Sequence, residues 1–558
     1  MQLIFFKRVS IVSSGIIFLL VLLYALFSFR LFGSTSESYS YSVAPLLQSM
    51  ELGSWNHSTF FDLSEGRQYW FIDKSDLYAP HNVAFSVTSP RVEYPKGTSS
   101  VLNVGEAKWE GTFSHYPNAV YDPETKKYFL YYRCFTRDFN HAAPFLTQEE
   151  HAKTIQTTCV ASSEDGIHYI RPMLSFFMLD GSYTNIIHRG ATAHNFFVFI
   201  DESGLAGTKR YMAIGGVDGV RDADSGIYLF GSNDGFKFNL LRETPILTKE
   251  HDSHSGFGSN YDSMNTVSWL PYERKYIVWL RRNEPVVGKS LRQVQYAMFE
   301  DLVSGSPEDV VKVGLGNDDY EYYLCCVKRE FLPGVTTVFT ARPITYEYYE
   351  NHLYLSRDGK SFSKPLGEIE YLADPFEGTR GAKTHENFLY RQACSVGLVP
   401  SPDGKRWIFY HIFFRHLYDT PRAYGEIVAA ILGYSVPKWG ITRVFAQDGH
   451  FISQKMRIES ESLRDLGSPL HAVTSTLVDN ALGEIRFEMF TVCSTGSENE
   501  GLMLVWAADW IVRSNESTTV RSDRNITLPD CIAKSSKHVY LYWRIYLQNA
   551  VLSAFWVG

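Results

Sequence analysis

Proton transfer needs carboxylates or imidazoles held close together, and this chain offers a short set of them beside a recurring asparagine. Asn118, Asn195 and Asn265 each stand where an apolar, strand-like run begins. Glu110 precedes the first of these runs, His194 and Asp262 lie beside the second and third, and Glu386 and Arg391 come before a further run at Cys394–Val399. Carboxylates can serve as general acid or base, and an imidazole with an unperturbed pKa of about 6.5 suits a proton donor. His194 is equally readable as a histidine hydrogen-bonded between structural units. The three asparagines either bind a ligand or tie strands together; both readings stand. Arg281 and Arg282 follow the run Tyr276–Trp279, where they could pair with Asp262, hold an acidic group or face solvent. His251, Asp252, His254 and Asp262 match no zinc or EF-hand spacing, so no metal site is expected from the sequence. Phosphate loops, nucleophile elbows and dinucleotide fingerprints are absent.

What must position these residues is an internal repeat. Ser-x-Asp-Gly-x-x-aromatic occurs at Ser163–Tyr169, Ser232–Phe238 and Ser356–Phe362, with a degenerate copy at Tyr296–Leu302. Asp-Gly supplies a tight turn, and the Ser or Asp side chain can cap its backbone. Before each turn come two apolar runs joined by a polar link, as in Asn118–Tyr121 and Tyr128–Tyr132, or Asn265–Trp269 and Tyr276–Trp279. Four strands per roughly sixty residues, repeated about five times, predict a β-propeller, with a β-sandwich array as the alternative. From about Val436 the repeat stops. Near the end Val539, Leu541, Trp543, Ile545 and Leu547 alternate with more polar residues, which predicts a half-buried strand.

The matching stretches are Trp109-Glu110-Gly111, His115-Tyr116-Pro117-Asn118, Ala193-His194-Asn195-Phe196, Tyr261–Asn265, Tyr354–Gly359 and Tyr424–Val428. In these the chain from about Gln68 onward resembles the five-bladed propellers of the arabinanase, β-fructofuranosidase and levansucrase superfamily of glycoside hydrolases. The likeness is greatest to bacterial proteins with a propeller and a C-terminal β-sandwich. The resemblance implies an all-β fold, a five-bladed propeller followed by a β-sandwich, and a glycan substrate cleaved by acidic residues at the inner-strand starts. It makes Asp262 the leading acid or base, with His194, Glu110 and Glu386 as its candidate partners. Asn118, Asn195, Asn265, His115, Tyr116, Arg281, Arg282 and Arg391 become substrate-binding candidates. It also allows a calcium ion on the axis, with no other cofactor. The acidic residue expected in the first unit and the invertase-like motifs are absent, leaving Asp262 as the carboxylate at a clearly corresponding position. Two alternatives follow: a non-catalytic carbohydrate-binding propeller, and a six-bladed sialidase-like protein, whose turns carry a similar Ser-x-Asp-Gly pattern.

Val9–Phe29 is an uncharged apolar run with Lys7 and Arg8 before it and Arg30 after it. Twenty-one residues span about 31 Å as a helix, the thickness of a bilayer core. It is read as a signal anchor over residues 1–30, with a cleaved signal or a core helix as alternatives. A stalk over 31–67, a propeller over 68–435 and a β-sandwich over 436–558 would then lie in the secretory lumen or outside the cell. Sequons at Asn56, Asn515 and Asn525 agree with that compartment. Of seven cysteines, Cys134 with Cys159 and Cys493 with Cys531 are candidate disulfides, buried thiols being the alternative. A formal charge of −8 without a strong basic patch argues against a nucleic-acid partner. The expected partners are a glycan and, through the N-terminal helix, a membrane.

Overall fold

The computed structural model describes strands and turns between Phe61 and Val557. The longer stretches outside the described residues are 1–60, 111–115, 136–155, 217–225, 252–260, 314–322, 367–389, 417–426, 460–468, 494–500 and 526–537. The apolar run 9–29, with Asn56, thus lies outside them. Among the described residues no helix is long and apolar enough to cross a membrane. The described fold is nearly all β, with two short 3-10 turns, Lys74–Asp76 and Ala191–Asn195.

The chain enters through β1 (Phe61–Asp62), β2 (Tyr69–Trp70), β3 (Tyr78–His81) and β4 (Ala84–Val87). These strands pair with strands near the C-terminus, so they belong to the C-terminal domain and not to a stalk or propeller lead-in. Next come β5 (Arg91–Glu93) and β6 (Leu102–Asn103). Blade 1 holds β7 (Asn118–Asp122), β8 (Lys127–Phe135) and β9 (Gln156–Ser163). A separate hairpin, β10 (Leu174–Leu179) and β11 (Ser182–Thr184), precedes its outer strand β12 (Ile186–Arg189). Blade 2 holds β13 (Phe197–Ile200), β14 (Tyr211–Gly216), β15 (Gly226–Ser232), β16 (Asn239–Leu240) and β17 (Leu247–Thr248). Blade 3 holds β18 (Thr266–Leu270), β19 (Lys275–Val286), β20 (Lys289–Phe299) and β21 (Val311–Lys312). Blade 4 holds β22 (Tyr323–Leu324), β23 (Lys328–Leu332), β24 (Val335–Pro343) and β25 (Tyr349–Ser356). The last sheet holds β26 (Tyr390–Gln392), β27 (Val399–Pro400), β28 (Arg406–His416) and β29 (Ile427–Pro437), and β5 and β6 pair onto the edge of β29.

The arrangement is propeller-like. β7 packs beside β13, β13 beside β18, β18 beside β23, and β27 beside β7, while the later strand β25 of blade 4 packs beside β26, so the sheets return to their starting point. Gly397, just before β27, has φ 95°, and a side chain there would meet the carbonyl of Ala119 at 2.1 Å. Only glycine permits that approach of the last sheet to the first. Side chains alternate between the faces of each sheet, and each face packs on a neighbour. Phe129 and Tyr131 of blade 1 share a core with Phe196, Val198 and Tyr211 of blade 2. Tyr276, Val278 and Leu280 of blade 3 face Met212 and Ile214 of blade 2, whereas Ile277 and Trp279 face Tyr354 of blade 4.

The Ser-x-Asp-Gly turns have the expected capping and a further use. In both described copies the serine hydroxyl accepts from the Asp and Gly amides, and the Asp carboxylate accepts from the two amides beyond. Gly166 and Gly235 have φ of 75° and 76°. Each glycine carbonyl then accepts a tyrosine hydroxyl from the preceding blade: Tyr410 at 2.7 Å and Tyr131 at 3.0 Å. A second clamp runs between inner-strand ends and the next blade. Tyr211 donates to Asp122 at 2.5 Å and Tyr276 to Asp201 at 2.6 Å. Burial alone would raise the Asp122 pKa. Hydrogen bonds from Tyr211, Arg210 and Thr125 outweigh it and hold the carboxyl down at about 2.

The C-terminal domain comprises β30 (Thr442–Ile452), β31 (Met456–Glu459), β32 (Pro469–Thr476), β33 (Gly483–Cys493), β34 (Gly501–Val512), β35 (Thr518–Asn525) and β36 (His538–Val557). With the four entry strands these form one hydrogen-bonded system of 11 strands, not two separate sheets. β36 pairs with five other strands. The expected alternation holds along it: Leu541, Trp543, Ile545 and Leu547 are buried in a core with Phe487, Trp506 and Phe555.

Removing the hydroxyl that reaches the next blade tests the turn clamp. Tyr131→Phe and Tyr410→Phe should each lower unfolding free energy by about 1–2 kcal/mol, because a buried carbonyl loses its donor. The two effects should add, since they act in separate grooves. Urea denaturation of both single variants and the double variant measures this. Unchanged midpoints would show that the clamps contribute nothing.

Candidate functional site

Strand direction gives the ring two distinct mouths. The entry mouth is where the inner strands begin, at Asn118, Phe197 and Thr266. The exit mouth is where they finish, with Asp122 and Asp201 under their tyrosine clamps. Between them lies an axial cavity of about 110 Å³, lined by β7, β13, β18 and Gly397.

The three recurrent asparagines sit at the entry mouth, but their amides are committed to the fold. Asn118 Oδ1 accepts from the Val198 amide at 2.7 Å, joining blade 1 to blade 2. Asn195 Nδ2 donates to the Tyr261 carbonyl at 2.7 Å, and its Oδ1 accepts from the Gly216 amide at 2.7 Å. Asn265 Nδ2 donates to the same Tyr261 carbonyl at 3.0 Å. All three are buried. Of the two readings open from sequence, strand closure is the one these contacts satisfy. They also fix the chain one residue before Asp262 between blades 2 and 3.

Glu110 is not at the mouth. It is fully buried and accepts from Arg171 through Nε at 2.7 Å and Nη2 at 2.9 Å, from the Gly105 amide at 3.0 Å, and from the Tyr132 hydroxyl. Asn185 donates to the Tyr132 oxygen at 2.8 Å and accepts from the Trp109 indole at 2.6 Å. Arg171 also donates to the Asn103 carbonyl in β6. This network fastens the closing strand to the flank of blade 1. The Glu110 carboxylate thus takes four donors, all from the fold.

Other candidates are placed in part. Tyr116 is buried next to the mouth with φ 53° and packs in the core of blades 2 and 3. His194 lies in the turn Ala191–Asn195 that leads into β13, and Arg391 lies in β26. Asp262, Glu386 and His115 lie outside the described residues, as does Asn515, whereas Asn525 is the last residue of β35. Cys134 and Cys159 form a disulfide between β8 and β9. Cys493 ends β33, and Cys531 lies outside the described residues.

Arg281 and Arg282 are at the entry mouth and are buried, not solvated. They continue β19 past Trp279, which pairs with Thr266 at the start of β18. Sequence reasoning missed Arg133, which holds the corresponding place in blade 1, two residues past Tyr131, the partner of Asn118. The repeat itself carried the signal, because Tyr128 and Tyr276 are equivalent and Arg133 and Arg281 each follow by five. Gln293 and Gln295 are buried alongside, with Gln295 Nε2 donating to the Arg281 carbonyl at 3.2 Å. His188 was also missed. It lies in the outer strand of blade 1, stacks on Phe196 at 4.4 Å and contacts Thr192 Oγ1 at 2.7 Å. Burial pushes its pKa down to about 4, so it is neutral at physiological pH. Among the described residues no group of three or more His, Cys, Asp or Glu could hold a metal.

No family model and no curated protein matches the chain. Solved structures similar to it include a thermostable family-43 glycoside hydrolase, at 14% identity over 61% of this chain and 92% of that one, with TM-score 0.36. A Bombyx mori GH32 β-fructofuranosidase mutant in complex with sucrose aligns at 14% identity over 87% and 94%, with TM-score 0.35. An endo-arabinase from Bacteroides thetaiotaomicron aligns at 12% identity over 60% and 96%, with TM-score 0.33. These neighbours are propeller glycoside hydrolases of the GH43 and GH32 type. At such identities and TM-scores the reading of the site rests on this chain's own residues.

The neutral His188 gives a pH signature. Its pKa is about 4 in the fold against about 6.5 unfolded, so the unfolded chain takes up the proton first as pH falls. Its contribution is therefore complete above pH about 6.5, declines between about 6.5 and 4, and changes no further below. Urea denaturation across that range should show the decline, and His188→Phe should flatten it. An equal slope in both proteins would refute the assignment.

Proposed function

We propose that this protein is a membrane-anchored, five-bladed propeller of the glycoside hydrolase type, acting on the glycosidic bonds of a glycan at the entry mouth. The observation that carries this is the return of the sheets to their start. It brings residues far apart in sequence to one opening, where Asn195 and Asn265 both hold the carbonyl that precedes Asp262. Glycoside cleavage needs an acid at the leaving oxygen and a base or nucleophile across the anomeric carbon. Asp262 takes one of these roles. Its partner is His194, Glu386 or Glu110, the last of which is hydrogen-bonded by the fold.

The specific observation favouring a second reading, a non-catalytic carbohydrate-binding propeller, is that Glu110 and all three asparagine amides serve the fold. A glycan array followed by hydrolysis assays on the hits separates the two. Asp262→Asn keeps volume and removes charge, so turnover should fall by about 100-fold or more with folding retained. Product release at the wild-type rate from that variant would eliminate Asp262. Binding without product from the wild type would establish the carbohydrate-binding reading.

The proposed topology leaves the folded domain in the secretory lumen or outside the cell, glycosylated at one or more of Asn56, Asn515 and Asn525. The apolar run 9–29 and the Cys134–Cys159 disulfide support it, because disulfides persist in oxidising compartments. In sealed microsomes the domain should resist added protease and lose mass on deglycosylation. Digestion from the cytosolic side would overturn it.

A further inference from the structure

We propose that the exit mouth holds a second sugar site, which takes one neutral glycosyl unit at the end of the axis opposite the candidate cleavage site. The inference rests on the glycan reading above for its ligand class and adds a site to it.

Exposure along the axial cavity shows which way it opens. The lining residues farther from the exit mouth, Asn118, Ala119, Val120, Phe197, Val198 and Val267, are buried. Those nearer to it, Tyr121, Phe199, Asp201, Ser268 and Trp269, are half-buried, and Glu202 is exposed. The space of about 110 Å³ is therefore reached from the exit side. Strand register sets its rim. Tyr121, Ile200 and Trp269 pair with the equivalent tyrosines Tyr128, Tyr211 and Tyr276, so they stand at one level in blades 1, 2 and 3.

The rings of this rim are braced by other rings. Centroids lie 4.8 Å apart for Tyr121 and Tyr128, 4.9 Å for Trp269 and Tyr276, and 5.9 Å for Phe199 and Phe197. Asp201 is held as well. It accepts from the Tyr276 hydroxyl at 2.6 Å, the Ser203 hydroxyl at 3.0 Å and the Ser203 amide at 3.2 Å. A carboxylate offers about four acceptor positions, so it can take a ligand hydroxyl beside these three donors. Groups ordered in advance lose less freedom when a ligand binds.

A sugar ring has apolar C–H faces and a polar edge, and the exit mouth offers a counterpart to each. Tyr121, Phe199 and Trp269 supply aromatic surface above a deeper lining of Val120, Val198 and Val267, while Asp201, Glu202 and Ser268 supply oxygens for hydroxyl groups. Small-molecule sites combine apolar lining with a few placed polar groups in this way. None of the described lining residues is basic, so an acidic ligand meets no counter-charge. A small organic cation would also meet rings and carboxylates and is the competing ligand. The donors already on Asp201 offset its charge, which favours the neutral ring.

The test uses the full-length protein and a set of photoreactive probes, neutral hexosides and pentosides each carrying a diazirine on the aglycone. After irradiation, mass spectrometry locates the labelled residues. For at least one probe, label should fall within 199–203 and 268–276 and disappear in excess of the corresponding methyl glycoside. Trp269→Ala should lower that label about tenfold, with Trp269→Phe in between, and leave any label within 190–195 and 261–265 at the wild-type level. Label confined to the entry end overturns the inference and leaves the glycan reading intact. Exit-end label that choline removes and the methyl glycosides do not overturns it in favour of a cation site. Label that the methyl glycosides displace at neither end overturns it together with the glycan reading. Should Trp269→Ala fail to fold, the position of the label on the wild type decides alone.

Discussion

A ring of sheets stands or falls on the joint between its last member and its first. Here that joint is made by segments distant in sequence. β5 and β6 from the N-terminal side hydrogen-bond to the edge of β29, and the chain then runs directly into blade 1. The Glu110 carboxylate bonded to Arg171, Tyr132 and the Gly105 amide locks this junction from the outside. On the axis, Gly397 lets the last inner strand touch the first. Opening the joint would expose edge strands and leave a carboxylate buried without its partners, both unfavourable.

Once the ring is closed, polar groups in the grooves are divided between its two ends. The exit end collects carboxylates, with Asp122 and Asp201 each held by a tyrosine of the next blade. The entry end collects guanidiniums and amides. Asymmetry of this kind follows from the repeat: equivalent positions in successive blades face equivalent grooves, so one residue type placed twice becomes a partial ring. Asn118 and Asn195 illustrate the same economy, each joining its blade to the next through a backbone group. Even the degenerate unit obeys the pattern. Asp301 still caps its turn through the Val303 amide, while Ile214 stands where Tyr131 and Tyr410 stand in their blades.

The C-terminal domain is tied in by the same logic of distant segments. Its entry strands β1 to β4 come from before the propeller and its remaining strands from after it, so both chain ends of the propeller lead into one sheet system. Arg357, just past the last strand of blade 4, pairs with buried Asp76 between the entry strands. That ion pair crosses from ring to C-terminal domain.

The sequence by itself determined the local alphabet of this protein: strand, polar link, strand, and a capped Asp-Gly turn, repeated, with a period-two strand at the end. These are short-range properties, set by turn chemistry and by which face of a strand is apolar. The sequence also placed Asn118, Asn195 and Asn265 at equivalent points, yet left open whether their amides serve a ligand or the fold. Tertiary structure gave two of them distant partners, 80 and 66 residues away, which meet them only once blades stack. Glu110 likewise gained a partner that its place in the sequence did not announce, Arg171, 61 residues on. Tertiary structure also paired the entry strands β1 to β4 with the far end of the chain. Strand pairing across long separations carries no signature in any one segment, since the unpaired edge of a strand looks alike whichever partner it will meet.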